Sequence, residues 1–363
     1  MNKPDSKHEL IAVDLFSGAG GFSLSARNVG IGVLAAVEFD KHASNTYRKN
    51  LIEKTNALTK LFEDIRAFEP EEMMAEVGLH PGDCDVLLGG PPCQGFSTHR
   101  INDAGVDDVR NQLLIRYFEF VASLRPKVFL VENVPGLLWK RHEKYLKEFY
   151  KLARSIGYRV SEPEALNARD FGVPQNRKRI FILGVDKKHN LNIDWPPEPT
   201  HIDPKKRVNG KSHLPVWKNS AEVFENPLPV SDPNNIHMNH SQVIIDAFKK
   251  TPPNGGSRFE SGRVLECHKN HNGHKDVYGR INPKVPGPTM TTACINPSKG
   301  RFVHPTEHHG ITVRHAARFQ TFPDGFVFEG GLMAAGVQVG NAVPIILGES
   351  VLNPIQKALI NKQ

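Results

Sequence analysis

The chain has little cysteine, little tryptophan and no long apolar run. Four cysteines (Cys84, Cys93, Cys267 and Cys294) in 363 residues cannot form a disulfide-stapled framework, and a reducing compartment would leave them as thiols. No stretch approaches the roughly 20 apolar residues needed to span a bilayer, which argues against a membrane protein. The first eight residues, MNKPDSKH, lack the apolar centre of a secretory signal, so the cytoplasm is the expected location. Acidic residues are in deficit: 46 Lys+Arg against 39 Asp+Glu leave a net charge of +7 and a pI near 9.1, a balance that favours a polyanionic partner. Internal repeats are absent, and the length suits one large domain with a smaller one.

What is present is an alternation of strands and helices up to about residue 186. Apolar runs at 10–16, 33–37, 85–88, 127–131 and 179–185 read as strands. Between them, 112–124 and 143–156 carry apolar residues at helical spacing. The pattern predicts an α/β class, doubly wound around a mostly parallel sheet, with a second, smaller domain. Beyond residue 186 prolines, glycines, asparagines and histidines crowd the chain, and ten of the 17 histidines fall between 191 and 313. Helical patterning returns at 313–321 and 343–359. Three segments follow: 1–189 for catalysis and cofactor, 190–310 for target recognition, and 311–363 as hinge and return.

The first strand ends in Phe16-Ser17-Gly18-Ala19-Gly20-Gly21, a glycine turn leading into a helix, where backbone can approach a ligand closely. Glu38 ends the second strand about 20 residues after Gly18, the spacing at which a carboxylate meets ribose hydroxyls. Asp64 is placed to receive the exocyclic amino group of adenine. The turn lacks the full pyrophosphate-binding glycine fingerprint, and its flanking acids, Asp14 and Glu38, suit a cationic ligand. S-adenosylmethionine is therefore preferred to a dinucleotide.

A second ledge, Gly89-Gly90-Pro91-Pro92-Cys93-Gln94, follows a buried strand and delivers a thiol to the carboxyl edge of the sheet. For Cys84, Cys267 and Cys294 the ordinary reading, a buried and inert side chain, is sufficient. Cys93 differs because two prolines stiffen its approach. Asp14–Gly21, Pro91-Pro92-Cys93-Gln94, Glu132-Asn133-Val134, Gln175-Asn176-Arg177-Lys178-Arg179 and Gly340-Asn341-Ala342-Val343-Pro344, in this order, resemble the signature blocks of the cytosine-5 DNA methyltransferases.

The resemblance implies an S-adenosylmethionine-dependent methyltransferase fold and four catalytic residues. Cys93 would add to carbon 6 of a flipped-out cytosine, and Glu132 would act as general acid at the ring. Arg177 would orient the base, while Arg179 would brace neighbouring loops. Cofactor contacts would come from Phe16, Gly18, Gly20, Glu38, Asp64, Ile65, Pro91 and Asn341. DNA contacts would come from Gln94, Ser97 and His99 in the polar segment 94–110, and from Thr291 and Arg301. Blocks 278–281 and 296–301 offer cations for phosphate, and Lys205-Lys206-Arg207 would add a nonspecific grip. The implied partner is double-stranded DNA, bound by a monomer that acts beside a restriction endonuclease.

Three alternatives bear weighing. Amino-group methyltransferases use a Pro-Pro-aromatic ledge with no nucleophile, which Cys93 excludes. A tRNA cytosine-5 methyltransferase shares the scaffold, but its Cys-Phe-Thr segment is absent. A catalytically silent DNA-binding relative need not retain Cys93, Glu132, Arg177 and Asn341 together. The segment Cys267–His274 matches no standard zinc spacing, so no metal is expected.

Overall fold

The computed structural model describes residues 10–91, 112–207, 213–262 and 276–362. They form two compact units: Met1–Asn167 with Lys178–Glu198 and Gly348–Gln363, and Ala168–Arg177 with Pro199–Leu347.

In the first unit, β1 (Leu10–Leu15), β2 (Ile31–Val37), β3 (Lys60–Phe62), β4 (Val86–Gly89), β5 (Val128–Asn133), β6 (Tyr158–Val160), β7 (Glu164–Asn167) and β8 (Lys178–Asp186) make one sheet. Its order is β3-β2-β1-β4-β5-β8-β6, with β7 also paired to β8. Every residue of β4 and β5 is buried, as expected of central strands covered on both faces. The helices of this unit are α1 (Gly21–Asn28), α2 (Lys41–Tyr47), α3 (Pro70–Val77), α4 (Gln112–Leu124) and α5 (Glu143–Ser155). The Phe129 ring of β5 meets Tyr117 of α4 at 6.4 Å, Phe149 of α5 at 5.8 Å and Tyr158 of β6 at 5.2 Å, edge-on or tilted, so one aromatic cluster locks both helices to the sheet.

The sheet is parallel from β3 through β5 and antiparallel beyond it. The run 179–185 does form a strand, β8, but it pairs antiparallel with β5, β6 and β7. Parallel pairing requires a crossover of a dozen or more residues, and only 168–177 separate β7 from β8.

Register decides what the sheet presents. Leu15 pairs with Val37 and with Gly89, and Gly89 pairs with Val131. The residues that follow these partners, Phe16, Glu38, Gly90 and Glu132, therefore emerge side by side along the carboxyl edge. The order of strands reverses between β1 and β4, the point where such sheets open a crevice for ligands.

The second unit has α6 (Pro204–Arg207), α7 (Ala221–Phe224), α8 (Gln242–Lys250), α9 (Val313–Phe319) and α10 (Gly331–Asn341), with isolated bridges in place of a sheet. Irregular chain leaves many carbonyls without ladder partners, and buried guanidinium groups, each with five donors, take them up. Arg280 donates to the carbonyls of Phe248, Thr251 and His304. Arg314 forms a two-pronged pair with Asp232 at 2.7 and 3.1 Å.

The last helix, α11 (Ile345–Ile360), enters the first unit from Gly348 onward, where Glu349 accepts a hydrogen bond from Asn28 of α1. The expectation that no apolar stretch is long enough to cross a bilayer needs amending, because Gly331–Ile360 passes by length and composition. Ala342–Pro344 divide it into α10 and α11, and most of it is buried inside the protein. Helix α10 lies outside the helical patterning of the sequence. Three glycines (Gly331, Gly336, Gly340) depress its intrinsic propensity, and tertiary contact demands one of them: a Cβ on Gly340 would sit 2.3 Å from the Thr291–Thr292 peptide.

Candidate active site

At the carboxyl ends of β4 and β5 the ledge and the acid meet. Asn133 Nδ2 donates to the Pro91 carbonyl at 3.2 Å, and a Cβ placed on Gly90 would be 3.4 Å from Glu132 Oε2. Glu132 is buried, and Arg179 Nε lies 2.8 Å from its Oε1. Strand pairing explains that contact. Glu132 is opposite Phe181, and Arg179, two residues from Phe181, projects from the same face as its diagonal neighbour.

The two arginines have different surroundings, and it is Arg179, expected as a loop brace, that lies against the acid. Arg177 is fully buried, and its guanidinium is engaged by backbone carbonyls. Its Nη1 donates to the carbonyl of Met290 at 2.6 Å, and its Nη2 to those of Gly340 and Ala342 at 2.7 and 2.9 Å. Gln175 extends the clasp, donating to the Phe319 carbonyl and the Gln320 side chain while accepting from the Met290 amide. Three sequence blocks, at 175–177, 289–292 and 340–342, thus close on one another within the second unit. Arg177 is the brace, and Arg179 faces the acid.

The glycine turn lies at the carboxyl end of β1. Phe16, Gly18 and Gly20 all adopt positive φ (60°, 56° and 93°). Gly18 N donates to Glu38 Oε2 at 2.8 Å, and Asp40 N donates to Glu38 Oε1 at 2.7 Å, so the backbone aims this carboxylate. Gly20 owes its identity to packing: a Cβ there would be 2.3 Å from Leu51 Cδ1 and 2.9 Å from Tyr47 Cδ2. Asp64 stands two residues past β3 and is gripped by Arg66 through Nε at 2.9 Å and Nη2 at 2.8 Å, which holds its carboxyl below the usual range. Ile65 is buried in the core. Sequence reasoning missed Phe39, which is 71% exposed directly after Glu38 with Arg66 5.4 Å from its ring centroid. An aromatic next to a strand-end acid was the available signal.

Asp14 is buried beneath this turn, accepting from Ser23 Oγ at 2.6 Å, with Tyr47 Oη donating in turn to Ser23. Burial, chiefly, raises its pKa from 3.8 to about 7. Stability from the protonated form is therefore complete below pH 3.8 and is lost as pH rises to about 7, because the unfolded chain ionises first. Asp14→Asn is expected to gain on the wild type between pH 5 and 7.5 in urea melts of the cofactor-free protein. A gap that does not change with pH would refute the assignment.

Cys93, Gln94, Ser97 and His99 lie outside the described residues, as does Cys267–His274. Cys84 and Cys294 are buried, and burial pushes both thiols up to about 12, which leaves them unreactive. Among the described residues no group of three or more His, Cys, Asp or Glu could hold a metal ion. Asn341 ends α10 and is exposed, and Thr291 packs against Gly340.

Of the expected DNA-facing cations, Arg280 is buried and holds carbonyls, and Arg301 pairs with Asp276 at 3.0 Å and donates to the carbonyls of Gly255 and Arg280. The irregular chain around them claims their donors. Lys299 stays exposed beside them, on a cleft of about 460 Å³ also lined by Asn176, Asn282 and Pro288.

Comparison with known proteins gives this arrangement its relatives. The family profile described as C-5 cytosine-specific DNA methylase matches residues 10–357. The Type II methyltransferase M1.HphI of Haemophilus parahaemolyticus is 33% identical over 354 residues, 97% of this chain and 88% of its own. M.FnuDI of Fusobacterium nucleatum is 31% identical over 357 residues, 97% of this chain and 95% of its own. Among solved structures, a prophage-encoded Escherichia coli protein described as a DNA modification methyltransferase superposes with a TM-score of 0.71 at 28% identity, covering 97% of this chain and all of its own. With the profile spanning nearly the whole length and relatives above 30% identity, the chain belongs to the C-5 cytosine-specific DNA methylases.

Proposed function

We propose that this DNA methylase transfers a methyl group from S-adenosylmethionine to carbon 5 of a cytosine flipped out of duplex DNA, at a sequence chosen by residues 190–310. The observation that carries the proposal is the row of Phe16, Glu38, Gly90 and Glu132 on one sheet edge, with Arg179 against the acid. The donor set fits the cofactor: an acid aimed by backbone amides for ribose hydroxyls (Glu38), an exposed ring for adenine (Phe39), and acids rather than a phosphate cradle around the turn. Phe16, Gly18, Asp64, Ile65 and Pro91 complete the cradle, and Gly20 shapes it; Asn341 is assigned to the cofactor on the family resemblance. When bound, S-adenosylmethionine supplies an electrophilic methyl group.

The residues of the chain do the rest. Cys93, carried just beyond Pro91, adds as thiolate to carbon 6, which turns carbon 5 into an enamine carbon able to take the methyl. Glu132 donates a proton at N3 as charge builds on the ring, and Arg179 fixes the orientation of that carboxyl while presenting its guanidinium to the base. Removal of the carbon 5 proton by solvent-derived base, with the N3 proton returned to Glu132, then expels the thiolate and restores the aromatic ring. Gln94, Ser97, His99, Thr291 and Lys299 are assigned to DNA, with Arg301 supporting the loop that bears Lys299. The exposed Lys205, Lys206 and Arg207 of α6 add phosphate contacts. The monomer works in the cytoplasm, paired with a restriction endonuclease. Duplex DNA incubated with the protein and methyl-labelled cofactor is expected to yield 5-methylcytosine within one sequence context by bisulfite sequencing; label on adenine, or none on DNA, would overturn the reading.

A further inference from the structure

The loop after β3 carries Asp64 and Ile65, and a side chain from another element holds it. Arg116, on α4, donates from Nε to the Ile65 carbonyl at 3.0 Å and from Nη2 to the Phe68 carbonyl. Its Nη1 meets the carboxylates of Glu69, 3.3 Å away at the N-cap of α3, and of Glu119. Its guanidinium lies 5.3 Å from the centroid of the Phe120 ring, and the side chain is only 15% exposed. Residues 63–69 form neither strand nor helix, so their carbonyls need donors from elsewhere. The buried Ile65 side chain pins the loop at one point, and Arg116 pins its backbone at two more.

We propose that Arg116 is a positioning residue for cofactor recognition: by gripping the Ile65 and Phe68 carbonyls, it sets the Asp64–Ile65 segment in the geometry that reads the adenine edge. The inference rests on the reading of Asp64 and Ile65 as adenine contacts. Lysine cannot stand in, because a single ammonium does not reproduce a planar fork that serves two carbonyls and two carboxylates at once.

The test compares wild type, Arg116→Met and Arg116→Lys for calorimetric binding of S-adenosylhomocysteine and of S-inosylhomocysteine, in which an oxygen replaces the exocyclic amine. Wild type is expected to prefer adenine by at least about tenfold, since a site built to accept from an N–H rejects the analogue lacking it. Both variants are expected to lose most of that preference, with KM for the cofactor raised and kcat at saturating cofactor retained. A purely architectural role would lower the melting temperature and weaken both ligands alike, which overturns the proposal. Arg116→Lys keeps the charge between Glu69 and Glu119, so it carries the test if Arg116→Met does not fold. Undiminished preference in Arg116→Lys overturns the positioning role; a wild type indifferent to the base overturns the adenine reading of Asp64 and the inference with it.

Discussion

Cys93→Ala is expected to abolish methyl transfer while leaving S-adenosylhomocysteine affinity within about twofold of wild type, because the cofactor cradle is built from other residues. The loss should be at least about ten-thousandfold in kcat, the scale on which removal of an enzyme nucleophile is felt. No other thiol in the described residues can substitute: Cys84 and Cys294 are buried and held protonated to about pH 12. The covalent step has its own readout. DNA carrying 5-fluorocytosine at the target cannot lose its substituent as a proton, so wild type should form a denaturation-resistant adduct and Cys93→Ala none. Residual labelling of DNA by the variant, or no adduct with wild type, would remove Cys93 from the mechanism.

Arg179→Met and Arg177→Met are expected to fail in different ways. Arg179 pairs with the buried Glu132, so its loss should lower the melting temperature by leaving that carboxyl unpaired while the second unit keeps its carbonyl partners, and should reduce kcat by roughly 10²–10⁴, the range associated with a disturbed general acid. Arg177 serves three buried carbonyls, those of Met290, Gly340 and Ala342. Each carbonyl left without a donor costs about 1–3 kcal/mol, so Arg177→Met should destabilise the second unit and lower soluble yield. Thermal melts and single-turnover methyl transfer at saturating cofactor separate the two. A well-folded Arg177→Met protein without chemistry, beside an active Arg179→Met, would restore the roles expected from sequence.

The two arginines mark where local sequence stops being informative. Both sit in one five-residue block, Gln175–Arg179, and nothing in that block says which faces Glu132. The antiparallel register of β8 against β5 says so, by setting Arg179 diagonal to Glu132. Arg280 and Arg301 teach the same lesson in the second unit: cations in a basic, irregular stretch look like phosphate contacts until the chain's own carbonyls are found to occupy them. Phe39 and Arg116 went unnoticed because their significance lies in what they adjoin, a strand-end acid and a loop 50 residues distant.

The sequence by itself determined the strand-turn-helix beginning, the buried strand β4 that runs into Gly90 and Pro91, the acid at the end of β5 and the order of the family blocks. Each of these is a short-range pattern of apolar period, glycine and proline, whose physics is confined to a few neighbouring residues. Only the tertiary structure decided the direction of β8, the existence of the glycine-bearing helix α10, the packing origin of Gly20 and the different partners of Arg177 and Arg179. These depend on strand register and on buried carbonyls finding donors more than 100 residues away, and neither is written in local periodicity.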